Sequence, residues 1–103
     1  MLISKENLEI KNQISDFERR IEEMHLEFYK YYTGEERRMP DLQRVERELI
    51  TFSRKRITDL ELSKNLERVL YKLQNRKKIW LAWVEETRHK APKKDQEPGS
   101  TSA

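Results

Sequence analysis

The sequence predicts an all-α fold, with two long heptad-patterned helices and a shorter middle helix packed as a helical hairpin or three-helix, coiled-coil-like bundle. Three observations predict it. In two separate stretches apolar residues recur at alternating spacings of four and three, the period of a helix that buries one narrow stripe. Two glycines and three prolines in 103 residues are too few for the frequent turns of an all-β chain. Charged residues are 40% and hydrophobic ones 35%, which leaves material for apolar stripes between solvated faces and not for a broad core. The length suits a single domain, expected over residues 1–90, with a disordered tail over 91–103.

The first helix is expected over about 4–33. Ser4 is its N-cap, and Ile3 is placed to staple onto Leu8. Its seam is Ile10, Ile14, Phe17, Ile21, Met24, Phe28 and Tyr31, and Gly34 closes it because glycine accepts the left-handed conformation. Pro40 restarts the chain as a first-turn residue of a helix over about 40–56, with Leu42, Val45, Leu49 and Phe52 as its stripe. That phase then meets Arg56, Asp59 and Ser63, so the seam breaks there, with a helix continuous through this point as the alternative. A new start signal follows, a capping box from Thr58 to Glu61 with Ile57 and Leu62 as the staple. The third helix, over about 59–90, carries Leu62, Leu66, Val69, Leu73, Arg76, Trp80 and Trp83, with one polar break at Arg76. Up-down-up topology brings Phe28 and Tyr31 beside Trp80 and Trp83, at the end where Leu42 begins the middle helix. After Ala91 no apolar period survives.

Several classes of function fall away on composition. Cysteine is absent, which excludes disulfides, thiolate nucleophiles and thiolate metal sites. No apolar run approaches the roughly 20 residues of a membrane helix, and no secretory leader pattern is present, so a cytoplasmic protein without a membrane partner is expected. No glycine-rich phosphate loop occurs, and two histidines on polar faces make no catalytic triad. The pairs Glu22/His25 and Glu86/His89 have the Glu-x-x-His spacing of di-iron bundles, but they lie off the seam and lack the further inward glutamates. No metal, no cofactor and no enzymatic activity are expected. Arg76 is the single residue suited to clamp a dicarboxylate, as arginines do in chorismate-mutase-like bundles. Its plainer role is a snorkelling side chain whose guanidinium finds a carboxylate.

What remains is binding. A narrow seam on a short chain favours self-association or docking on another helical protein. The plain reading of Trp80 and Trp83 is core packing against Phe28 and Tyr31. The sharper one makes them, with Ile79 beside them and Tyr31 and Tyr32 opposite, the candidate partner-binding end, since tryptophan concentrates at interface hot spots. The formal charge is +3, divided as −2 over residues 1–33, +2 over 34–56 and +3 over 57–91. The densest basic triplets, Arg54–Lys55–Arg56 and Arg76–Lys77–Lys78, make a candidate basic patch. Acids accompany the cations nearly everywhere else, so a nucleic acid ranks behind a protein as partner. Cations at Arg37, Arg38 and Arg54–Arg56 also suit the negative ends of the helices they follow.

The residues Phe28, Tyr31, Tyr32, Gly34, Glu36, Arg37 and Pro40, followed by Leu49–Ile50, Ile57, Gln74–Asn75 and Trp80, carry a resemblance over about half the chain. In them the stretch from Phe28 to Val84 resembles a helical domain family of deltaproteobacteria, often found as a C-terminal domain of myxobacterial-type proteins. The chain departs from the pattern in having one proline after the arginine pair where two are expected. The resemblance implies a helical fold and a bacterial setting and brings no activity with it. The expected function is therefore that of a non-enzymatic interaction, assembly or adaptor protein. A nucleic-acid-binding module and a helical export chaperone are the alternatives.

Overall fold

Capping groups set the helix boundaries. The computed structural model describes the backbone of residues 4–96 and the side chains of residues 4–89. Helix α1 spans Lys5–Thr33, and the Ser4 hydroxyl accepts the Asn7 N–H at 3.0 Å, as the N-cap reading requires. Ile3 lies outside the described residues, and Leu8, its expected staple partner, is exposed. Gly34 ends α1 at φ 88°. Its N–H reaches the Tyr31 carbonyl at 3.2 Å and the Glu35 N–H reaches Lys30 at 2.8 Å, the paired bonds that close a helix through a left-handed residue. No atom stands where a Cβ would go, so backbone conformation alone demands glycine there.

Helix α2 spans Leu42–Ser53. Asp41 is its cap, accepting the Arg44 N–H at 3.1 Å, and a tight turn from Pro40 to Leu42 places it there. Pro40 is therefore buried just outside the helix and not in its first turn. Helix α3 spans Leu60–Gln96. Its cap is Asp59, whose carboxylate accepts the Leu62 N–H at 3.0 Å, one residue beyond the expected Thr58. An aspartate caps better than a threonine, and its charge suits the positive end of the helix. The break between α2 and α3 stands as expected. The far end differs, because α3 continues to Gln96 where a tail was expected from Ala91. Alanine, lysine and glutamine are good helix formers, and they carry the helix past Pro92, although a proline there removes a backbone donor and crowds the carbonyl four residues back. The rest of the expected tail, 97–103, lies outside the described residues.

The long helices pair side by side and parallel. Lys72 meets Glu18, Arg76 meets Glu22 and Glu86 meets Tyr32, each contact joining residues 54 apart in the chain. A constant offset means both helices advance in the same direction. It also sets the two seams level, so that Phe28 and Trp80 occupy equivalent places. Their rings stack at 4.8 Å with 12° between planes, and neither side chain is exposed. α2 runs back antiparallel, with Glu48 on Arg20 at 2.9 Å and Phe52 against Phe17 at 5.5 Å. One core results, from Ile10 and Leu62 at one end to Trp80 and Val84 at the other, with no polar side chain fully buried among the described residues. The molecule is a rod of 69 × 19 × 16 Å. No described helix is long and apolar enough to cross a membrane.

Truncation should separate this core from the surface. Trp80→Ala is expected to cost about 3–5 kcal/mol in urea denaturation. Leu26→Ala, at a side chain 62% exposed, should stay within about 0.5 kcal/mol of the parent.

Candidate interaction surface

A short α2 covers one side of the α1–α3 pair and leaves the opposite side open. On that open side, helical periodicity brings Glu18, Glu22, His25, Tyr29 and Tyr32 of α1 to the same flank. Facing them on α3 are Lys72, Arg76, Ile79, Trp83 and Glu86. The strip divides into a charged half and an aromatic half.

In the charged half Lys72 bridges Glu18, at 3.4 Å, and Glu22, which also accepts from Arg76 at 3.2 Å. These cations hold the Glu22 carboxyl below its ordinary pKa, Lys72 foremost through its hydrogen bond. Arg76, the polar break in the seam, thus keeps its stem in the core and sends its guanidinium sideways to a carboxylate. Its Nη1 is buried without a partner.

His25 joins the halves. Its Nδ1 accepts the Trp80 indole N–H at 2.9 Å, which satisfies the one polar atom of the largest fully buried side chain among the described residues. Burial lowers the His25 pKa, the Arg76 charge lowers it further, and Glu22 opposes them. Above His25, Trp83 is packed among aromatic rings. Tyr32 stacks on it at 5.1 Å and 16°, Tyr29 meets it edge-on at 5.8 Å, and His25 lies 5.3 Å away. The Tyr32 hydroxyl donates to Glu86 at 2.5 Å, a bond that raises its pKa. Tyr29 is 52% and Ile79 42% exposed at the border of this cluster, while Trp83 and Tyr32 are half-buried.

The expected partner-binding residues therefore separate. Trp83, Tyr32 and Ile79 share the open face. Trp80 does not belong to it: fully buried between Phe28 and His25, it is core. Tyr31 packs partly buried against the core. The expected basic patch also divides. Arg76 and Lys77 are occupied by Glu22 and by Glu46, at 2.7 Å, whereas Arg54, Lys55, Arg56 and Lys78 are exposed. The Glu-x-x-His pairs hold no joint site: Glu86 serves Tyr32 and His89 lies 3.4 Å from Glu85. No group of potential ligands among the described residues could hold a metal. Sequence spacing passed over Glu18, Tyr29 and Lys72 of this surface, and considered His25 only as half of a Glu-x-x-His pair. His25 had a signal in lying next to the seam on the flank facing α3, but only the parallel register shows that it meets Trp80.

No family model, curated protein or solved structure matches the chain.

Two tests follow from this geometry. The fold keeps His25 neutral to a lower pH than the unfolded chain does, so its contribution is intact above about pH 6.5 and is lost as pH falls below that value. The urea midpoint should therefore decline between about pH 7 and 5, and His25→Gln, which does not titrate, should flatten that decline. Arg76→Met removes a guanidinium with one unpartnered nitrogen and leaves Glu22 on Lys72. Its urea midpoint should show stability unchanged or raised by about 1 kcal/mol.

Proposed function

We propose that this chain is a cytoplasmic, non-enzymatic protein-interaction module of the assembly or adaptor kind, which docks an amphipathic helix on the open α1–α3 face. The occupant is a second copy of the chain or a helix of another protein, laid alongside the pair in coiled-coil fashion. One observation carries the reading. Trp83, half-buried among Tyr29, Tyr32 and His25 with Ile79 beside it, lies on the side of the long pair that α2 leaves uncovered. A rigid aromatic anchor costs little side-chain entropy on binding and offers a large area to bury, which is why such residues dominate interface energetics. The charged half of the same strip supplies polar groups at one border and would fix the direction of an incoming helix. The resemblance to a deltaproteobacterial domain family adds a bacterial setting to this reading and no chemistry.

Light scattering behind a sizing column, over a wide concentration range, tests the reading directly. The parent is expected to form a dimer or larger species, or to co-elute with a helical partner. Ile79→Glu and Tyr29→Glu, both at half-exposed positions outside the core, should remain helical and lose that association. Retained association in both variants would remove the aromatic face from consideration.

A further inference from the structure

We propose that the outward face of α2 is a second binding site, an arginine stripe that takes the phosphate backbone of a nucleic-acid duplex. In the linear sequence the cations of this region are interleaved with acids, and in the folded chain each of the acids at 41, 46 and 48 already has a partner. Asp41 is engaged in capping α2. Glu46 turns to Lys77 of α3 at 2.7 Å, and Glu48 turns to Arg20 of α1 at 2.9 Å and to Arg44 at 3.2 Å. Arg47 and Arg54 have no carboxylate partner among the described residues. They lie two turns apart on one stripe and line a single shallow groove with Gln43, Glu46, Ile50 and Thr51, where the Glu46 carboxylate is held by Lys77. Lys55 and Arg56, both exposed, carry the charge past the end of the helix.

The chemistry of the face favours phosphate over an acidic protein. Arginine, glutamine and threonine all present hydrogen-bond donors, and a guanidinium matches phosphate oxygens two at a time. An acidic helix would need a row of apolar anchors to dock, and this groove offers Ile50 alone. No aromatic side chain lines it, so splayed single-stranded bases would find nothing to stack on. What fits is a sequence-independent contact with the backbone of a duplex.

Fluorescence anisotropy of a labelled mixed-sequence DNA duplex of about 20 base pairs, titrated with the full chain between about 50 and 200 mM salt, tests this. Binding is expected to weaken steeply with salt. Arg47→Gln with Arg54→Gln should reduce affinity at least tenfold and lower the salt slope by about 2, while helicity by circular dichroism stays at the parent value. Lys11→Gln, which removes an exposed cation of α1 outside the groove, should leave the binding unchanged. The proposal is overturned if the duplex does not bind at the lowest salt, or if the double variant binds it as the parent does. It is equally overturned if polyglutamate, and not the duplex, shows the dependence on Arg47 and Arg54.

Discussion

Two consecutive long helices that run parallel in one chain need a segment to carry the chain back, and that requirement shapes the whole molecule. α2 is that segment. It descends antiparallel past Arg20 and Phe17, and the six residues from Arg54 to Asp59 complete the return to the level where α3 begins. A helix of 12 residues against partners of 29 and 37 can cover only part of one side of the pair. The open α1–α3 face is therefore a consequence of topology. Parallel pairing also decides which side chains meet. With the seams level, Phe28 lies on Trp80 and flank residues 54 apart pair along the length of the strip.

The polar groups along that strip act more on register than on stability. Ion pairs of partly exposed side chains contribute at most about 1 kcal/mol each. A shift of α3 by one helical turn, however, would separate Lys72 from Glu18, Arg76 from Glu22 and Tyr32 from Glu86 together. It would also leave the Trp80 N–H buried without His25, a larger penalty than loss of any surface pair. Hydrophobic heptads alone tolerate such slips, because a turn further along the stripe still presents apolar side chains. His25 and the carboxylates exclude the alternatives that the apolar seam leaves open.

The fold was legible in the sequence because its determinants are local or periodic. Both long seams, the Gly34 stop, the Ser4 cap and the break before α3 could be read from residue order. The end-to-end placement of Phe28 beside Trp80 followed once the seams were compared. Residue order misleads where two local signals compete within a residue or two. Asp59 displaced Thr58 as the cap, and the helix ran on through Pro92 toward Gln96. The candidate surface was legible only in part, because membership in it depends on contacts between residues about fifty positions apart. Nothing in the order of residues says that Trp80 turns inward while Trp83 stays near the surface, or that His25 lies within reach of an indole.

Charge shows the same limit most clearly. Along the sequence the acids at 41, 46 and 48 neutralise the arginines around them, and the region looks like an ordinary solvated helix. In space those carboxylates meet a backbone amide, Lys77 of α3, and Arg20 of α1 together with Arg44, so the negative charge of the region is already paired and part of it holds α2 in place. The arginines left outside are the residue of that arrangement: the interactions that dock the return helix also concentrate positive charge on its outer face. The aromatic strip lies on the other side of the α1–α3 pair, where α2 does not reach. The two surfaces thus share one cause, a return helix both short and fastened by its acids, yet they occupy opposite sides of the rod, and an occupant of one would leave the other accessible.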